Sequence, residues 1–160
     1  DYPYLVTEGA EGYIFVTSKA HVECERPFCL LHPKTLHVGI GCRRGKTDQE
    51  ILEVMTSVFN RYNLSLHSIK SLATIDLKQD EPGIRKVCDQ LHCSLQVYSR
   101  QEIAHIQSQF AASTFVQRAI GISAVCEPCA HLASDGNLIV RKTTLHGVAI
   151  AVARERQGGQ

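Results

Sequence analysis

A chain of 160 residues is about the size of one domain and long enough to bury a core of its own. Lys and Arg number 17 against 16 Asp and Glu, Trp is absent and other aromatics are sparse, which excludes the basic, stacking-rich surface that a nucleic-acid partner demands. No apolar run is long enough to cross a bilayer, and the 7 cysteines are odd in number and irregularly scattered, so a soluble chain in the reducing cytoplasm is expected.

In chain order, YIFVTS (13–18) predicts a strand, and CERPFCLLHPK, with its two prolines, an irregular run. Met55 is the only methionine and none opens the chain, so residues 1–34 read as the tail of a preceding domain plus a linker, with a boundary near Pro33. TLHVGIG (35–41) predicts a strand. Residues 47–62 predict a helix, because Thr47 and Glu50 make a capping box and Ile51, Leu52, Met55, Val58, Phe59 and Tyr62 recur on one face. SIKSLATI (68–75) predicts a strand running into DLKQDEPG, and residues 83–92 carry Ile84, Val87, Cys88 and Leu91 at helical spacing. SLQVYS (94–99) predicts a strand, after which Ser99 and Glu102 form a second capping box opening a short helix. A further helix is expected at 113–120, followed by the strands NLIVRK (137–142) and GVAIAVARE (147–155), with TTLHG as a hairpin connection between them. The alternation implies an α/β fold: a three-layer α/β/α domain over residues 35–154, with a mixed, largely parallel sheet and an antiparallel C-terminal edge. Residues 155–160 are polar and expected to fray.

The stretch LHVGIGCRRGKTDQEIL (36–52) has the outline of a phosphate-binding loop, yet both common patterns miss by one residue. G-x-x-x-x-G-K-[ST] requires glycine where Ile40 stands, and G-x-G-x-x-G requires it where Arg44 stands. What remains is a tight glycine turn (Gly39, Gly41), the N–H groups at a helix start, and two forked cations, Arg43 and Arg44. Together they favour an anionic ligand, often a carboxylate or phosphate held bidentately. The plain alternative is a strand-to-helix turn with two solvated arginines.

The single CxxC, Cys126 to Cys129, has no well-spaced second pair. Cys24, Cys29 and His32 would join it in a zinc site only by coincidence of folding, and no thioredoxin-like pattern follows it, so no protein-held metal is expected. No serine lies in a G-x-S-x-G elbow.

Four spaced segments, GIGCRRG (39–45), IDLKQDEPG (75–83), ISAVCEPCAHLA (122–133) and LIVRKTTLHGVAIAVA (138–153), resemble the C-terminal domain of cobalamin biosynthesis protein G, CbiG, which is similar to the stand-alone CobE of the aerobic pathway. The resemblance covers about residues 35–154, and YIFVTS looks like the end of the central domain of the same protein. The chain departs from the pattern at Cys129, Leu145 and His146. The resemblance implies cobalt-precorrin-5A hydrolase activity in the anaerobic corrin pathway: opening of a δ-lactone and expulsion of the extruded ring carbon as acetaldehyde. The substrate would be a cobalt-precorrin fringed with acetates and propionates, with cobalt arriving inside it and no separate cofactor. Other enzymes of that pathway are possible partners.

Such chemistry needs a base, oxyanion donors and an aimed nucleophile. Glu127, beside a proline suited to a helix's first turn, is the first candidate base, with backbone N–H groups there as oxyanion donors; otherwise it is a helix-start carboxylate. Asp76, at a strand end, is a second candidate base and Lys78 a partner for a substrate carboxylate, against the plain reading of a solvated charged loop. Cys42 is a candidate nucleophile if Arg43 and the helix start favour its thiolate. Lys142 is a candidate contact from the hairpin, and His146 a further acid or base. A non-catalytic tetrapyrrole carrier is the alternative to an enzyme, and a nucleotide-binding protein, which would need Lys46, is the third reading.

Overall fold

The computed structural model describes Gly9, residues 11–110 and residues 125–156; the helix expected at 113–120 lies outside the described residues. Its elements are β1 (Tyr13–Val16), β2 (Phe28–Leu31), β3 (Leu36–Cys42), α1 (Asp48–Arg61), β4 (Ile69–Ile75), α2 (Pro82–Leu91), β5 (Ser94–Tyr98), α3 (Arg100–Phe110), α4 (Cys126–Ser134), β6 (Asn137–Leu145) and β7 (Val148–Arg154). Five strands form the central sheet in the order β5-β4-β3-β7-β6. β3, β4 and β5 pair in parallel, while β7 is antiparallel to both β3 and β6. The expected mixed sheet with an antiparallel C-terminal edge is therefore present, with β7 tucked inside and β6 outermost.

Strand alternation sorts the side chains onto two faces. Leu36, Val38, Ile40 and Cys42 of β3 and Val148, Ile150 and Val152 of β7 join Ile51, Met55, Val58 and Phe59 of α1 and Ile84 and Val87 of α2 in one buried cluster. Each of the larger side chains is worth about 1.5–3 kcal/mol on burial. The other face is built from small residues: Ala149, Ala151 and Ala153 pack against Cys126 and Ala130 of α4, and Ala73 and Ile75 against Ile103, Val125 and Cys129. Small residues let α4 lie close to the sheet. Helices thus cover both faces, completing the three layers.

Both capping boxes form. Thr47 accepts from the Glu50 N–H at 3.2 Å while the Glu50 carboxylate accepts from the Thr47 N–H at 2.9 Å, and Ser99 and Glu102 exchange the same pair of bonds. Tyr62, expected on the core face of the first helix, instead caps it and is exposed, with the Arg61 guanidinium over its ring.

Three expectations need correction. TTL of the supposed hairpin loop belongs to β6, with Thr143, Thr144 and Leu145 opposite Ile150, Ala149 and Val148. The connection is His146 and Gly147 alone, at φ of 49° and 77°, the two left-handed residues of a type I′ turn. The run read as irregular contains β2, which pairs in parallel with β1; Pro27 and Pro33 flank the ladder and do not interrupt it. Glu155, assigned to a fraying tail, is tied down: its N–H donates to Thr35 O at 3.0 Å, and its carboxylate meets His37 Nε2 at 3.1 Å and Lys70 Nζ at 3.0 Å. The β1–β2 ribbon joins the sheet domain through the Lys19–Leu64 bridge and the Arg154 to Ser18 hydrogen bond, and its Ile14, Phe28 and Leu31 are exposed.

Candidate functional site

In open α/β sheets ligands gather beyond the carboxyl ends of the parallel strands. Here three connections meet at that end: residues 43–47 after β3, residues 76–81 after β4, and the His146–Gly147 turn. Arg43 N–H donates to Gly147 O at 3.0 Å, and the position of a Cβ on Gly147 would lie 3.1 Å from Arg43 Cδ and 3.3 Å from Lys46 Cε. Gly83, opening α2, sits so close to Lys46 that a Cβ there would stand 2.2 Å from Lys46 O. The glycines at 83 and 147 let the three connections pack together.

Arg43 and Arg44 are exposed, and neither guanidinium has a carboxylate partner among the described residues. The helix start itself is not open to a ligand as expected. Glu50 folds back onto Thr47 and also pairs with Lys46 at 3.0 Å, so the anion at that spot is the chain's own carboxylate. Those contacts hold the Glu50 carboxyl below its ordinary range, the Thr47 N–H being the largest cause and the Lys46 hydrogen bond the next.

Lys78 and Glu81 are not a solvated loop. Their side chains are 9 and 13% exposed and paired at 3.3 Å, and the other Glu81 oxygen accepts from the Gly45 N–H at 3.4 Å. Glu81 thus ties the arginine loop to the loop after β4. With one donor spent on Glu81 and 7% of its surface exposed, Lys78 is placed as a strut rather than as a contact reaching outward.

Two further candidates change role. Cys42 points into the α1/α2 core at 1% exposure, because β3 sends alternate residues there. Burial raises its thiol pKa and outweighs the help from Lys78 and Lys46, so the expected thiolate is not favoured. Gly39 faces α4, where an added Cβ would fall 1.7 Å from Cys126 O and 2.8 Å from Ala130 N. Its lack of a side chain serves helix packing. Gly41, buried and opposite Ala149, also lies within the sheet ladder.

The acidic candidates stand at the same end, Asp76 after β4 and Glu127 at the start of α4. Asp76 follows β4 and opens a short 3-10 turn; its Oδ1 is buried with no hydrogen-bond partner among the described residues. A buried carboxylate oxygen without a donor is costly and marks a functional candidate. Glu127 lies in the first turn of α4, half-buried, and its Oε1 accepts from Lys142 N–H at 2.7 Å. The cause is a register shift in β6 between Val140 and Thr143, which leaves that N–H outside the ladder. The Lys142 ammonium is exposed, so it is the backbone of this residue that Glu127 holds. Because Ile75 and Val125 pack in one cluster, Asp76 and Glu127 emerge at the same end of the sheet. Val125 supplies no side-chain cap to the start of α4.

Cys126 and Cys129 are buried, and burial pushes each thiol up to about 12, an inert pair that packs α4 against the sheet. Among the described residues no group of three or more His, Cys, Asp or Glu could hold a metal ion, and no helix is long and apolar enough to cross a membrane. His146 is an exposed turn residue.

Residues 36–153 match the family model described as Cobalamin synthesis G C-terminus. The chain is 35% identical over 125 residues to a cobalt-precorrin-5A hydrolase of Priestia megaterium, covering 78% of this chain and 33% of the relative. It is 25% identical over 126 residues to the hydrolase of that name from Salmonella typhimurium, covering 79% and 36%. The chain therefore spans about a third of the length of these curated relatives. The crystal structure of CobE, a protein from the cobalamin biosynthetic pathway, superposes with a TM-score of 0.66 at 23% identity, over 77% of this chain and 95% of that one, a likeness of fold. With the family match running from the first residue of β3 to the penultimate residue of β7, the chain belongs to the cobalamin synthesis G C-terminus family.

Proposed function

We propose that this chain is the C-terminal part of a cobalt-precorrin-5A hydrolase and that the carboxyl end of its sheet takes the substrate. The observation that carries the reading is the pairing of opposite tasks at one end: two exposed guanidinium groups on the β3 loop with no carboxylate partner among the described residues, and two carboxylates, Asp76 and Glu127, after β4 and at the start of α4. Arg43 and Arg44 suit the acetate and propionate fringe of a precorrin, since each planar fork matches a carboxylate.

Lactone opening adds water across the acyl–oxygen bond to give a carboxylate and a free hydroxyl. Loss of acetaldehyde then requires the proton of that hydroxyl to leave as the carbon–carbon bond breaks and its electrons pass to the ring. A carboxylate within hydrogen-bond reach of the hydroxyl serves as the base. Glu127 fits because one oxygen is anchored on Lys142 N–H, which orients the other, and Asp76 fits because its Oδ1 is buried without a donor among the described residues. Cobalt arrives within the substrate. The rest of a longer chain would complete the pocket.

The test uses the full-length protein. Glu127→Gln and Asp76→Asn are each assayed for acetaldehyde release and for binding of a carboxylated cobalt corrinoid. Loss of release by either variant with binding retained supports the hydrolase reading; binding by this domain with release unaffected by both variants favours a carrier module.

A further inference from the structure

Away from the candidate site, α2 ends in a motif that places two thiols together. His92 takes a left-handed conformation at φ 52°, the Cys93 N–H donates to Cys88 O at 3.0 Å, and the His92 N–H donates to Asp89 O at 3.3 Å. These are the paired bonds of a Schellman ending, in which the residue after the left-handed one packs its side chain on the residue five positions earlier. In most helices that contact is between two apolar side chains. Here both are cysteines, Cys88 within the buried cluster and Cys93 packed against it.

We propose that Cys88 and Cys93 form a redox-active dithiol, closing reversibly to an intramolecular disulfide by exchange with a low-molecular-weight disulfide such as oxidised glutathione. The two positions differ in the way such a pair requires. Cys88 is 6% exposed and packs in the core cluster, whereas Cys93 is half-buried and reachable. Lys34 stands beside Cys93, its ammonium anchored on Ile69 O and His92 O at 3.3 Å each. The neighbouring Cys88 thiol holds the Cys93 thiol below its ordinary range against the opposing effect of burial, with Lys34 assisting, whereas the Cys93 thiol and burial push Cys88 up. Cys93 is thus the attacking sulfur and Cys88 the resolving one.

The exchange balances. The Cys93 thiolate attacks one sulfur of the oxidant, forming a mixed disulfide and expelling one thiolate. Cys88 gives its proton to that thiolate and attacks the Cys93 sulfur, forming Cys88–Cys93 and releasing the second small thiol. Two protein thiols are oxidised and one disulfide is reduced to two thiols.

Trypsin makes the outcome readable, because cleavage after Lys86 and Arg100 leaves both cysteines in one peptide, residues 87–100. The native protein is equilibrated in glutathione buffers of rising oxidised fraction, alkylated, digested and weighed. The expected result is that this peptide passes from doubly alkylated to unalkylated and lighter by two hydrogens, and that dithiothreitol reverses the change. Cys88→Ser should trap glutathione on Cys93, whereas Cys93→Ser should leave Cys88 about tenfold less reactive than Cys93 is in the wild type. If the peptide stays doubly alkylated while exposed Cys29 becomes glutathionylated, or if glutathione accumulates on wild-type Cys93 without closure, the proposal is wrong.

Discussion

The packing of α4 on the sheet can be broken at a single atom. Gly39→Ala adds a Cβ 1.7 Å from Cys126 O, 2.7 Å from Cys126 C and 2.8 Å from Ala130 N, all of them backbone, so no side chain can swing aside. Ordinary contact begins at 3.4 Å, so the first turn of α4 must retreat by about 1.7 Å or β3 must buckle. Overpacking of this kind costs about 1–3 kcal/mol, and a rigid backbone neighbour places it near the upper end. The same retreat would stretch the 2.7 Å bond between Glu127 and Lys142 N–H beyond hydrogen-bond range. Urea titration should therefore show a midpoint lowered by an amount equivalent to about 3 kcal/mol with an unchanged slope. On the proposed reading, acetaldehyde release by the full-length protein should fall with it. Gly45→Ala provides the contrast, because nothing lies within 4 Å of its Cβ position and only the left-handed φ of 80° is disfavoured, a cost of about 1 kcal/mol. A Gly39→Ala protein as stable as Gly45→Ala would refute the assignment of this glycine to helix packing.

Other outcomes follow from the same contacts. Lys78→Met should destabilise the protein by about 3 kcal/mol in urea, since it strands the nearly buried Glu81, and adding Glu81→Leu should recover part of the loss. Burial alone would raise the Glu155 carboxyl, yet hydrogen bonds from His37 and Lys70 outweigh it and hold the group below its ordinary 4.5. Its stabilising contribution is thus present above the unfolded value and lost as pH falls through the lower folded one. Thermal melts of Glu155→Gln should show a deficit at neutral pH that closes in acid. His146→Asn, which suits the first left-handed position of a type I′ turn, should raise the urea midpoint by an amount worth roughly 0.5 kcal/mol.

Strong local signals were the legible ones. Thr47 with Glu50 and Ser99 with Glu102 announced both helix starts, and the spacing of Ile51, Met55, Val58 and Phe59 identified the buried face of α1. The alternation of strands and helices gave the layers. Less legible was anything decided by contacts distant in sequence. The capping box and an open anion site at α1 were both expected, although one carboxylate fills both roles, and only the fold shows Glu50 occupying the place. Gly39 looked like a loop glycine because its use, close approach of α4, depends on a helix more than 80 residues later. Cys42 lay one residue from Arg43, but strand alternation turned it the opposite way, into the core. Glu81 sat in a run of charges that reads as solvated, and its bond to Gly45 N–H spans 36 residues. The Glu127 contact depends on a β6 register shift that no turn residue signals.

The central claim is that the carboxyl end of the sheet meets an acidic macrocycle through Arg43 and Arg44. Its most direct test is titration of a cobalt corrinoid bearing free acetate and propionate groups against the wild type and the Arg43→Ala/Arg44→Ala double variant at two salt concentrations. Removing two exposed guanidinium contacts of about 1 kcal/mol each should weaken binding by roughly tenfold or more and flatten its salt dependence. A dissociation constant within a factor of about two of the wild type, with the same salt dependence, would contradict it.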